Sequence, residues 1–198
     1  SVGLHAGRRA APTGEDAVLV LGAGAIGLLT AAAAKAMGAG RVLITAKHAH
    51  QAEAARRLGA DEVLPPGDDI PERVRGICGD GADVVIETVG TAGGVIEQAL
   101  QAVRKLGTVV LVGGITDPSA LHLGPIIHKE LTVLGSPCYG QLGVRKDFEI
   151  AVDLIASRAI DVCQLISGRY ALEDVQSAFL AAADKSAGAL KVLVKPSE

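Results

Sequence analysis

Between residues 17 and 136 the chain alternates between two periods. Six short apolar runs, rich in β-branched residues, read "AVLVLG" (17–22), "RVLITA" (41–46), "DEVLP" (61–65), "DVVIETVG" (83–90), "GTVVLVGG" (107–114) and "ELTVLGS" (130–136). Runs without a polar face predict strands buried on both sides. The stretches between them include "AIGLLTAAAAKAMG", "HQAEAARRLG", "IPERVRGICG" and "GGVIEQALQAVRKLG". These have helical spacing, and all four close on Gly after a basic last turn, as helix C-termini prefer. Parallel strands need crossover connections, so the pattern predicts the α/β class: a doubly wound, six-stranded parallel sheet with helices on both faces. Past Gly140 the rhythm lengthens to "VRKDFEIAVDLIASRAI" and "LEDVQSAFLAAAD", then the strand-like "ALKVLVK", which predicts a C-terminal, mainly helical extension over 144–198. The opening "SVGLHAGRRA" has helical spacing of its own, giving three parts: a linker helix over 1–11, a sheet domain over 12–143, and the extension.

Composition narrows the partner. The 198 residues are 49% hydrophobic but only 2% aromatic, with no Trp. The core is therefore built from Ala, Val, Leu and Ile, and stacking on nucleic-acid bases is poorly supplied. A net charge of −3 from 19 basic and 22 acidic residues provides no field for DNA or an anionic membrane. The most apolar segment, 17–36, is broken by Gly22, Gly24, Gly27 and Lys35, which argues against a membrane span. Cys78, Cys138 and Cys163 lie far apart with no CxxC pair, so neither a disulfide framework nor a zinc knuckle is indicated and a cytoplasmic location is expected. What remains is a small-molecule partner.

The chemistry sits in "VLVLGAGAIGLL", which holds GxGxxG at Gly22, Gly24 and Gly27. With 25 Gly in the chain, chance supplies about 0.4 such matches, so the bare pattern is weak. Its context is stronger, because the glycines follow a strand and open a helix whose first N–H groups, around Ala25 and Ile26, can hold a pyrophosphate as in a Rossmann domain. An NAD-binding second strand would then end on an acid for the adenosine ribose, about 20 residues on. Here that strand ends at Thr45 and Ala46, and "KHAH" follows. Without the acid, Lys47 and His48 are free to attract a ribose 2′-phosphate, which points to NADP(H), with NAD(H) as the alternative. His48 and His50 have no third metal ligand near them in sequence.

The order of segments resembles the cofactor-binding half of the zinc-type alcohol dehydrogenases, the medium-chain dehydrogenase/reductase family, and in particular its polyol (sorbitol) and threonine dehydrogenase branches. The residues that carry it are "SVGLHAGRRA", "VLVLGAGAIGLL", "AARRLGADEVL", "GADVVIETVG", "GTVVLVGG", "ELTVLGS" and "YALEDVQSAF" through "LKVLVKP". The resemblance implies that Ala46 stands where NAD-specific members carry their ribose-binding Asp. It implies that Thr88, Val89 and Gly90 border the cofactor ribose and nicotinamide, that the backbone at Val112, Gly113, Ser136 and Cys138 holds the carboxamide, and that Lys191 lies near the pyrophosphate. It also implies that zinc and most of the proton relay belong to a separate N-terminal catalytic domain. This chain would then contribute no catalytic or metal-ligating residue, and would orient the dinucleotide for hydride exchange with a small alcohol or polyol. Alone, it is expected to be inactive.

Two further expectations follow. The run from Glu130 to Ser136 is a sheet edge, and an uncovered apolar edge invites pairing, which in the resembling family joins two copies into a homodimer. The rival readings are the cofactor domain of a zinc-free quinone or enoyl reductase of the same superfamily, and a non-catalytic module that binds or senses dinucleotide.

Overall fold

The computed structural model describes residues 1–90, 93–114 and 122–196. Its six main strands are β1 (Ala17–Leu21), β2 (Arg41–Thr45), β3 (Glu62–Leu64), β4 (Ala82–Glu87), β5 (Val103–Leu111) and β6 (Thr132–Gly135). They form one parallel sheet in the order β3-β2-β1-β4-β5-β6. The order reverses between β1 and β4, so connections leave these two strands toward opposite faces and a crevice opens at their carboxyl ends.

Alternation along each strand divides the core into two layers. Val18, Val20, Val42, Ile44, Val84 and Ile86 point to one face, packed by α2 (Ala25–Ala36), α3 (Ala49–Arg57) and α1 (Val2–Ala10). Leu19, Leu21, Leu43, Val85 and Val109 point to the other, packed by α4 (Ile70–Cys78) and α5 (Gly93–Ala102). The first layer is thin because α2 meets it through four consecutive buried alanines, Ala31 to Ala34. The thinness continues outward, since α1 crosses α2 at Gly3, where an added Cβ would sit 2.6 Å from the Thr30 nitrogen.

The helical pattern predicted over 93–107 stops earlier, at Ala102. Val103 is fully buried and pairs with Ala82, and the chain kinks at Leu106, with φ of 60°, to re-enter the ladder at Thr108. The Lys129 ammonium, just after α6 (Gly124–His128), donates to the carbonyls of Leu100, Gln101 and Val103 at 3.0, 2.8 and 2.8 Å. A distant cation thus satisfies the helix end, which no local pattern announces.

The C-terminal part contains α7 (Asp147–Ala156), a 3-10 turn (Val162–Leu165), β7 (Ile166–Ala171), α8 (Val175–Ala183) and β8 (Lys191–Lys195). Strand β8 corresponds to the strand-like end of the sequence. Its parallel partner β7, "ISGRYA", was not foreseen, because Gly168 interrupts an already short run. Ile160 and Leu165 join the α2 layer of the core.

α7 is tied to α1 by a buried acid. Asp147 is inaccessible to solvent, and its carboxylate accepts from the Gly140 amide at 2.8 Å and from Arg8, with His5 Nδ1 2.6 Å away. Burial alone would raise this carboxyl, but the hydrogen bonds from Gly140, Arg8 and His5 outweigh it and hold the group below its ordinary value. A folded value below the unfolded one contributes stability above about pH 4 that is lost as pH falls through the folded value. Asp147→Asn is therefore expected to lower unfolding free energy by about 2 kcal/mol at neutral pH. In urea titrations the gap from the unmodified protein should narrow as pH falls below about 4; a gap independent of pH would contradict this account.

Candidate dinucleotide-binding crevice

The turn from β1 into α2 is built almost entirely of backbone. Gly22 has φ of +99°, which an L side chain rarely adopts. Its N–H donates to Thr45 Oγ1 at 2.8 Å, and the Thr88 hydroxyl donates to the Leu21 carbonyl at 2.7 Å. Gly27 is buried so close beneath the turn that a Cβ would lie 1.8 Å from the Gly22 carbonyl oxygen. Gly24 is the opposite case: it is exposed, and a Cβ there would meet nothing within 4 Å. Helix α2 starts after it with no side-chain cap, so the N–H groups of its first turn, at Ala25, Ile26 and Gly27, have no partner within the helix. These donors and the positive end of the helix dipole suit an anion.

At the end of β2, Ala46 is buried and its N–H donates to the Leu64 carbonyl at 2.9 Å. The Lys47 side chain is exposed and His48 is half-buried, its ring stacked on His50 at 5.4 Å. The Lys47 and His48 amides both donate to Gln51 Oε1 at 3.2 Å, so a buried glutamine shapes this corner. A cleft of about 260 Å³ opens here, walled by residues that include Gly22, Thr45, Lys47, Gln51, Ile70 and Val89, with no acid among the described residues that line it. A carboxylate interacts with His48 at this corner. Asp184, at the end of α8, is held below its ordinary value chiefly by its hydrogen bonds from Ser186 and Ala187, and His48 adds to the effect.

Across the reversal point, the loop after β4 carries Thr88, Val89 and Gly90. Val89 is 47% exposed and faces the cleft. Gly90 has φ of +67° and touches the loop after β5, where a Cβ on Gly113 would fall 2.2 Å from the Gly90 nitrogen. Val112 packs against the α2 layer, and its N–H donates to the Glu87 carbonyl. Ser136, just past β6, donates its N–H to the Leu111 carbonyl, while its buried hydroxyl has no partner among the described residues. Cys138 is exposed and free. Lys191, far away in sequence, lines a second cavity of about 440 Å³ together with Ala25 and Ile26.

The structure therefore brings Gly22, Val89 and Lys47 around one cleft, with Thr88 bonded to the turn behind Gly22 and Gly113 packed against Gly90. It places Lys191 beside the first turn of α2, and Ser136 and Cys138 along the β6 end. Three shaping residues were not predicted: Thr45, Gln51 and Glu87. Their only sequence signal is a polar residue closing an otherwise apolar strand, as in "VLIT" and "DVVIE", or opening a helix.

A family model described as zinc-binding dehydrogenase matches residues 25–157. The chain is 35% identical over 199 residues to sorbitol dehydrogenase of Ovis aries, covering 98% of this chain and 54% of that protein. Among solved structures, 2R,3R-butanediol dehydrogenase from Bacillus subtilis superposes with a TM-score of 0.86 at 29% identity, over 99% of this chain and 55% of that one. A protein assigned to the zinc-binding dehydrogenases of Sinorhizobium meliloti, solved bound to NADP, gives 0.85 at 32% identity over 98% and 56%. The chain spans about half the length of the curated relatives it matches.

The two glycines that bracket the start of α2 should respond differently to an added methyl group. Gly27→Ala is expected to cost about 2–3 kcal/mol, because only backbone movement relieves the contact with Gly22. Gly24→Ala should stay within about 0.5 kcal/mol. Thermal unfolding of both variants checks this, and equal losses would contradict the described turn.

Proposed function

This chain belongs to the zinc-binding dehydrogenase family, and from that premise we propose that it is the dinucleotide-binding part of an NADP(H)-dependent alcohol or polyol dehydrogenase. The observation that carries the proposal is the crevice at the β1/β4 reversal. An uncapped helix N-terminus faces open space across Gly24, and a buried Gly27 keeps the strand and helix close enough to form it. The cleft runs from the Lys47 corner to the Val89 wall, and the absence of an acid among the described residues that line it favours a 2′-phosphate at the Lys47 end.

In this reading the first turn of α2, at Gly24, Ala25, Ile26 and Gly27, binds the pyrophosphate, with Lys191 adding a cation from β8. Lys47 and His48 meet the ribose phosphate beside Ala46. Thr88 and Val89 form the wall next to the nicotinamide ribose, and the backbone of Val112, Gly113, Ser136 and Cys138 orients the carboxamide. The bound nicotinamide supplies hydride exchange at C4 with the carbon of a small alcohol or polyol. The chain's own residues bind, orient and keep that ring in one pose, as hydride exchange within a short reach requires. Among the described residues no group of three or more His, Cys, Asp and Glu side chains is placed to hold a metal ion. The described residues thus supply no set of ligands for zinc, and the family's metal is proposed to be held by another part of the protein.

Strand β6 is the outer strand of the sheet, with Val133 partly exposed on it. A second copy is proposed to pair there across a two-fold axis, in the manner of an isologous interface. The three free thiols support a reducing, cytoplasmic setting.

Two measurements test these assignments. By calorimetry NADPH should bind at least about tenfold tighter than NADH at modest salt, the preference should shrink as salt rises, and Ala46→Asp should reverse it. Equal or tighter NADH binding in the unmodified protein would overturn the cofactor assignment. Light scattering at tens of micromolar should return a dimer, and a monomer at that concentration would contradict the edge pairing.

A further inference from the structure

We infer that Glu87 is the positioning residue of the nicotinamide end of the crevice, its carboxylate fixing the bend of the loop after β4 where that loop meets the loop after β5; the inference rests on the dinucleotide reading above. Glu87 closes β4 at a place where every neighbouring strand position is apolar, and it is fully buried. Carboxylates are almost never fully buried unless paired, yet among the described residues Glu87 takes part in no ion pair. A leucine or valine would fill the position without the desolvation that a carboxylate suffers. What the acid supplies instead is geometry.

Every hydrogen bond that Glu87's carboxylate and carbonyl make is spent on the two loops or the strand ladder. Oε1 accepts from the Val89 amide at 2.5 Å and from the Gly90 amide at 2.8 Å. Its main-chain carbonyl accepts from the Val112 and Gly113 amides at 2.9 and 3.2 Å. The side chain therefore holds two consecutive amides of the β4 loop, and the main-chain carbonyl two of the β5 loop. The second carboxylate oxygen, Oε2, is buried with no partner among the described residues, and a Cβ on Gly113 would lie 2.8 Å from it. The carboxylate thus occupies the seam where Gly90 and Gly113 touch, and the bend of the β4 loop, with Gly90 at φ of +67°, is set by the reach of Oε1. Val89, carried on that bend, is presented to the crevice. Moving Oε1 away frees two amides and lets Val89 drift from the wall it forms.

Reach and charge are separable at this position. Glu87→Gln keeps the length and the accepting oxygen without the charge, and Glu87→Asp keeps the charge but withdraws the oxygens by one carbon–carbon bond. The quantity to measure is the affinity gained from the nicotinamide half, taken as the ratio of the dissociation constants of 2′,5′-ADP and NADPH, alongside the thermal midpoint of each variant. Glu87→Asp is expected to reduce that ratio by about tenfold or more, the size of a lost charge-assisted hydrogen bond. Binding of 2′,5′-ADP should change by less than about threefold, and Glu87→Gln should keep the ratio near that of the unmodified protein. A merely structural role would lower the midpoint and weaken both ligands together. Equal weakening, or an unchanged ratio in Glu87→Asp, overturns the positioning role while leaving the dinucleotide reading intact. If the unmodified protein binds neither ligand, the dinucleotide reading itself fails and this inference falls with it.

Discussion

The rest of the structure depends on one close approach: the backbone of the β1–α2 turn lies directly against the first turn of the helix it leads into. Gly27 sits under the Gly22 carbonyl with no room for a side chain, and Gly22 in turn packs beneath Thr88 and Val89 of the β4 loop. This contact brings the start of α2 to the strand ends instead of a side-chain length away. Once the helix is that near the sheet, only small residues fit on its inner face, and four alanines line it. The next layer inherits the constraint, since α1 reaches α2 only because Gly3 has no Cβ. The Asp147 cluster then fastens α7 to α1, so the packing can be followed outward from a single glycine.

The same contact explains which parts of the fold were legible. Six buried parallel strands follow from local apolar runs, because a strand covered on both faces has no polar alternative. The Gly-rich turn follows from its place between the first such run and a helical segment. The end of α5 was not legible, because it is decided by Lys129, nearly thirty residues away, donating to three carbonyls. Strand β7 was not legible either. It is a partner strand whose pairing with β8 crosses a whole helix, and its own sequence carries a glycine where a strand reader looks for a β-branched residue.

For the crevice, charge was easier to read than hydrogen bonding. The missing acid at Ala46 and the cations after it are visible letter by letter. That Gln51 gathers the Lys47 and His48 amides, that Thr45 holds the Gly22 amide, and that the Glu87 carboxylate holds the Val89 and Gly90 amides are facts of three-dimensional placement. Each involves a polar group turned inward to satisfy backbone that the crevice would otherwise leave unpaired. The polar residues of this site are therefore of two kinds: a few that face the ligand space, and others that keep the ligand-facing backbone in shape.

The central claim is that this crevice, from Gly22 through Gly27 to the Lys47 corner and the Val89 wall, is where a dinucleotide binds. Titrating isotopically labelled protein with NADPH while following backbone amide resonances tests it most directly. The account predicts saturable shifts concentrated at Gly22, Gly24, Ala25, Lys47 and Val89, with little change at the amino-end positions of the sheet such as Ala17 and Arg41. Absence of saturable shifts, or shifts confined to residues remote from the β1/β4 reversal, would contradict it.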